Sequence, residues 1–213
     1  MPTSFGNVNA LRLVGGMAVL DFLNTCNGRR PETTLSTVTE SLCSLEDALI
    51  WSHRASVISQ SELLAAQQFV KFEKSACEAA LRRLLEFREI LYSLFHGLTH
   101  HAMIDESLLL TLNEILRRCL PMRILVPVGF SAEWTWLIGT NLDQFIDSLI
   151  GRLATEAASL LTSTKLEKLK CCSSLECDWH FIDTSKNGQR RWCQMNVCGS
   201  KEKASRRRQG DTS

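Results

Sequence analysis

Apolar residues recur at helical spacing in five stretches: Ser44 to Ser52, Ser61 to Glu73, Cys77 to Leu98, Ser107 to Leu120 and Leu142 to Leu161. Between the last two, Arg123 to Val128 and Trp134 to Ile138 flank Gly129 and read as a short β-hairpin. A second hairpin is expected at the start, with Leu11–Val14 and Ala18–Leu23 joined through a Gly15–Gly16 turn. The pattern changes near Thr162–Thr164, where an apolar helix gives way to a lysine-rich segment. The expected fold is mainly α with small β hairpins: a helical domain over residues 1–163, followed by a small module over 164–213.

The 213 residues are 45% hydrophobic, enough for one medium core plus an appendage. No apolar run approaches the ~20 residues of a membrane span, so no membrane partner is expected. The net charge of +1 hides a polarity: from residue 165 onward eleven Lys/Arg face six Asp/Glu, while residues 1–164 hold thirteen against seventeen. The basic end is the carboxy-terminal module.

That module carries the chemistry. Cys172-x4-Cys177 and Cys193-x4-Cys198, fifteen residues apart, are two short-spaced thiol pairs. Zinc takes four soft or borderline ligands in a tetrahedron, and two short cysteine loops supply them at low chain-entropy cost. Two disulfides are the competing reading. Met1 to Asn7 has neither the basic nor the apolar stretch of a secretory leader, so a reducing, cytoplasmic setting and one structural Zn2+ are expected. Asp178 to Asp183 reads as a strand and Asn187–Gly188 as a turn before Arg190-Arg191-Trp192-Cys193, so the spacer is expected to be a hairpin. Ser200 to Arg208 is helix-tolerant. Knuckle, hairpin and helix around one ion make a treble-clef-like zinc module.

These residues resemble the CGNR zinc finger proteins, whose amino-terminal part is the ABATE domain, described as a "putative stress-induced transcription regulator". The resemblance rests on the pattern C-x4-C-x-W-x-F-x-D-x-S-x-N-x-x-R-R-W-C-x4-C-G, met by Cys172, Cys177, Trp179, Phe181, Asp183, Ser185, Asn187, Arg190, Arg191, Trp192, Cys193, Cys198 and Gly199. Ser200–Lys201 stands where the family has Asn-Arg, replacing a planar guanidinium fork by a point charge. Gly15 to Thr25 is similar to the G-G-x-x-x-L-D-F-x-N-T opening of ABATE domains, and Leu84 to Glu89 lies near the family's L-R-E helix. The resemblance implies a transcription regulator with DNA as its partner.

On the third helical stretch, Leu84, Arg88, Leu91 and Phe95 share one face, so Arg88 interrupts an apolar stripe and needs a partner. Asp21 is the expected one. The alternative is a pocket in which Asp21, Asn24, Thr25 and Arg88 bind a small anionic ligand, walled by Trp51 and Tyr92. His96, His100 and His101 cluster around Gly97, but no carboxylate or cysteine nearby in sequence completes a metal set. Cys171 is a spare thiol beside Cys172, or a redox sensor if it is an exposed thiolate.

A four-cysteine zinc site is closed, and no phosphate loop, zincin motif or nucleophile elbow occurs, so no enzymatic activity is expected. Two functions remain. In the first, the finger grips DNA through Arg190, Arg191, Lys201, Lys203, Arg206, Arg207 and Arg208, while the helical domain senses a ligand or forms a homodimer. In the second, zinc merely folds a protein-interaction module with a solvated basic tail.

Overall fold

The computed structural model describes residues 4–30 and 38–210, with the side chains of residues 4, 5, 74 and 206–210 outside the described part. Seven helices occur among the described residues: α1 (Ala18–Leu23), α2 (Leu45–Arg54), α3 (Gln60–Phe72), α4 (Lys74–Thr99), α5 (Glu106–Cys119), α6 (Leu142–Leu161) and α7 (Ser200–Gly210). The strands are short. β1 (Ser4–Phe5) pairs in parallel with β3 (Thr39–Glu40), which pairs antiparallel with β2 (Cys26–Asn27). β4 (Arg123–Val128) and β5 (Ser131–Trp136) form a hairpin, and β6 (Leu169–Cys171) pairs antiparallel with β7 (His180–Ile182).

Local chemistry sets the helix boundaries. Ser44 and Ser59 open α2 and α3 with capping boxes closed by Asp47 and Glu62, and Asn141 caps α6 through the Gln144 amide. Helix α6 is the hub, burying Phe145, Ile146, Leu149, Ile150, Leu153, Ala154, Ala157 and Leu160 against α1, α4 and α5. The apolar stripe of α4, with Leu84, Phe87, Leu91 and Phe95, completes the core with Trp51, Phe22 and Leu20.

The opening hairpin expected from the sequence is not formed. Ala18–Leu23 is a helix, because Glu156 on α6 accepts the amides of Ala18 and Val19 at its amino end and the core engulfs Val19, Leu20, Phe22 and Leu23. The two glycines enter α1 sharply. Gly16 has φ +81°, and a Cβ on Gly15 would lie 2.8 Å from the Leu20 Cβ. The expected hairpin within the cysteine spacer is displaced as well. β7 pairs with β6, so the Cys172–Cys177 loop is the tip of the hairpin, and residues 183–192 form a loop that turns at Gly188 with φ +61°.

The zinc module is not an appendage. Leu169 and Ile182 belong to the same buried cluster as the helices, and Ile182 donates its amide to the Gly15 carbonyl at 2.9 Å. No helix among the described residues is long and apolar enough to cross a membrane.

Candidate metal centre and its supports

Cys172, Cys177, Cys193 and Cys198 are all buried, and their sulfurs lie within 4.8 Å of one another. The Cys177–Cys193 and Cys193–Cys198 Sγ separations are both 3.6 Å. A tetrahedral ion with Zn–S bonds of about 2.3 Å requires thiolates roughly 3.8 Å apart, so the four residues fit one zinc ion with little adjustment. The Cys193 amide donates to the Cys172 sulfur at 3.4 Å, as befits a thiolate. Bonds from Cys177, Cys193 and Cys198 favour the thiolate at Cys172, and the hydrogen bond with Cys172, ahead of burial and of that charge, disfavours ionisation of Cys177; a dication removes the conflict.

Two loops deliver the ligands. Cys172 and Cys177 sit on the β6–β7 tip, where the Cys177 amide bonds the Ser174 carbonyl at 3.1 Å. Cys193 precedes, and Cys198 lies within, a wide π-helical turn over Met195–Gly199 that runs into α7. Phe181 and Trp192 pack around the sulfurs. Asp183 shapes the loop between the pairs, accepting from the Ser185 amide and hydroxyl, the Arg190 amide and Lys170 Nζ.

A comparison with family models now has a structure to rest on. Residues 168–209 match the CGNR zinc finger, and residues 16–164 match ABATE, described as "Putative stress-induced transcription regulator". The chain belongs to the ABATE family. No curated protein matches it at a significant level.

Within the ABATE domain the expected ligand set is occupied by the protein itself. Arg88, 3% exposed, does not meet Asp21; its guanidinium forks onto Glu40 of β3, with Nη1–Oε1 2.8 Å and Nη2–Oε2 2.6 Å. Nη1 also donates to Thr25 Oγ1 at 2.8 Å and Nε to Glu89 at 2.9 Å. Asp21 instead accepts the Gly15 amide at 2.7 Å, and burial pushes its carboxyl up to about 6. Asn24 has a third task. Its Nδ2 donates to the His180 carbonyl at 2.9 Å and its Oδ1 accepts the His180 amide at 2.8 Å, extending the β7 edge onto α1. Trp51 stacks with Phe22 in the core.

The loop after α1 binds the CGNR finger in a way the sequence did not announce. Asn27 exchanges bonds with the Glu176 carbonyl and the Asp178 amide. Arg29 lies 3.7 Å over the Tyr92 ring, caps the Leu23 and Cys26 carbonyls and reaches Asp178 at 3.3 Å. Arg30 donates to both Cys171 Sγ and the Cys172 carbonyl at 2.6 Å. The adjacent Arg29–Arg30 pair was the available clue, whereas nothing in the sequence singles out Glu40 as the partner of Arg88.

The basic residues of the finger divide by environment. The Arg190 guanidinium is half-buried, lying 4.1 Å over Phe181 and donating to the Trp192 and Cys193 carbonyls, so it braces the second cysteine pair. Arg191 is exposed beside the Trp192 ring, Lys201 pairs with Glu176 at 3.0 Å, and Lys203 is exposed. The side chains of Arg206, Arg207 and Arg208 lie outside the described residues. Cys171 is no exposed thiolate: burial pushes its thiol up to about 11 in spite of Arg30.

Proposed function

We propose that this ABATE protein is a non-catalytic transcription regulator whose CGNR finger contacts duplex DNA through α7. The observation that carries this reading is the composition of α7. Over Ser200–Gly210 it holds Lys201, Lys203, Arg206, Arg207 and Arg208 against the single acid Glu202, with no apolar face to pack. An isolated helix of eleven residues is marginal in water, and a helix polar all round gains little from the core. A polyanion supplies the missing stabilisation by neutralising the cations and releasing condensed counterions. Arg191 and Lys203 extend the basic surface, while Arg190 contributes only by holding the second cysteine pair.

With Arg88 committed to Glu40, small-ligand sensing is better assigned to the cleft of about 730 Å³ between α2, α3 and α4, lined by Leu45, Leu49, Ile50 and Val70 with Glu46 and Lys71 at its rim. An apolar or amphipathic molecule suits that lining better than an anion. Homodimer formation is the other role open to the ABATE domain.

The test uses the full chain, because the finger shares its core with the helices. Zinc-loaded protein is expected to bind fluorescent duplex DNA with an affinity that falls steeply with salt. Replacing Arg206, Arg207 and Arg208 together by alanine should flatten the slope of log affinity against log salt by up to about 3. Absence of binding at low salt, with zinc present, would replace this reading by a protein-interaction role. The β4–β5 hairpin would then be the surface to probe, since it leaves Phe130 fully exposed and Trp134 57% exposed.

A further inference from the structure

We propose that His96, Cys171 and His180 form a second metal site, for a thiophilic d10 ion, that clips α4 of the ABATE domain to the CGNR finger. The three donor atoms lie within 4.8 Å of one another and come from three elements, α4, β6 and β7. Sequence distance concealed the set. His96 stands 75 positions before Cys171, and only the fold brings the thiol to the histidines.

The strand geometry explains the juxtaposition. Cys171 and His180 are direct cross-strand partners on the β6–β7 hairpin, so their side chains share a face. Alternation along the extended chain sends Cys172 the other way, into the four-cysteine centre. His96 approaches that face from α4, its ring 5.7 Å from that of His180, with His100 one turn on at 4.3 Å.

A second observation points to a ligand. His180 is fully buried, and neither of its ring nitrogens has a hydrogen-bond partner among the described residues. Leaving a buried imidazole nitrogen unsatisfied is costly, and coordination would satisfy one of the two. Burial also keeps this ring neutral, which is the form that binds metal. Two imidazoles and one thiolate are a donor set for Zn2+ or Cu+, with bonds of about 2.0–2.3 Å. Donor atoms around such an ion lie roughly 3.3–3.8 Å apart, so side-chain rotations that close the set by about 1 Å would complete it. Arg30, donating to Cys171 Sγ, would hold the thiolate from the second shell. Arg29 is compensated by the buried Asp178 carboxylate, which leaves Arg30 as the net cation beside the thiol and favours monovalent Cu+ over Zn2+.

This site differs in kind from the four-cysteine centre. It has three protein donors and an open side at the exposed His100, so an ion there is exchangeable. Occupancy would tie α4 to β6 and β7, making the docking of the finger respond to metal supply. The inference does not rest on DNA binding.

The test counts metal ions. Full-length protein carrying one zinc is titrated anaerobically with Cu+ and, separately, with Zn2+ against a colorimetric chelator, then desalted and assayed for both elements. Wild type is expected to retain a second equivalent of at least one ion, with Cu+ the tighter. Cys171→Ser, His180→Phe and His96→Gln should each stop at one equivalent while keeping their original zinc, which reports an intact finger. Should His180→Phe fail to fold, the other two variants decide the matter. A wild type that saturates at one equivalent with both ions overturns the proposal. So does a second equivalent that survives in Cys171→Ser, since the added ion would then sit elsewhere or in the four-cysteine centre.

Discussion

Glu40→Leu removes the carboxylate that neutralises Arg88 and leaves a guanidinium 3% exposed, with only Thr25 and the half-exposed Glu89 to receive it. An arginine cannot escape by losing its proton, so the variant must bury an uncompensated charge or tear the core open to hydrate it. Breaking a buried pair from one side costs about 3–5 kcal/mol, and each kcal/mol shifts the melting temperature of a chain this size by roughly 2–4 °C. A fall of about 6–20 °C is expected. Arg88→Met leaves the opposite charge, on a carboxylate that keeps the Leu42 amide as a donor, and fills the guanidinium's space with an apolar chain. Arg88→Ala should melt lower than Arg88→Met because it adds a cavity. The double variant Glu40→Leu/Arg88→Met buries no charge and should melt above Glu40→Leu, short of wild type by the bonds lost to Thr25 and to the Leu42 amide that Glu40 also accepts. Thermal melts measure all of this. Single variants within about 2 °C of wild type, or a double variant no better than Glu40→Leu, would refute the reasoning.

Cys172→Ser should lose the structural zinc and Cys171→Ser should keep it, as read by metal analysis of purified protein; equal zinc at that centre in both would defeat the ligand assignment. Asp21, raised from 3.8 to about 6 by burial, holds its proton in the folded state when the unfolded chain has released it, so its contribution to stability declines as pH rises from about 4 to 6. Asp21→Asn should therefore gain on wild type between pH 5 and 7.5 in urea titrations, by about 1.4 kcal/mol if the Gly15 bond is kept, because only about one unit of the raised range lies above pH 5, and an unchanged difference would show that the carboxyl is not raised. Asn24→Ala leaves the His180 amide and carbonyl unpaired at about 1–3 kcal/mol each, so both the melting temperature and the lifetime of zinc against a chelator should drop, and an unaltered zinc lifetime would mean that finger and helices are uncoupled.

Long periodic segments were legible before any coordinates. Leu142–Leu161 has the same ends in sequence and structure, because an uninterrupted apolar stripe and an Asn141 cap leave one solution. The four cysteines were equally plain, since short thiol pairs encode their own proximity. Ala18–Leu23 was not: six residues hold too little periodicity to separate helix from strand, and Glu156, 138 positions from Ala18, tips the balance by capping its amino end. Arg88 announced a need without naming its partner. Glu40 lies in a two-residue strand with no pattern of its own, whereas Asp21 stands within a recognisable motif. His180 looked like an ordinary strand residue until the β6 register set Cys171 opposite it.

The Asn24 bridge has a consequence for how the molecule comes into being. Its two bonds join residues 156 positions apart, so the Asn24 amide waits for all of the intervening chain to be made before it meets the β7 edge. A nascent helical domain emerges from the ribosome with Asn24, Asn27 and Arg29 facing water and with the places of Leu169 and Ile182 vacant. Only when the last cysteines have appeared and captured zinc can the final strand dock and close that face. Metal capture by Cys193 and Cys198 thereby bears on the closing of this face, and a cell short of zinc would accumulate chains in which Asn24, Asn27 and Arg29 stay open to chaperones and proteases.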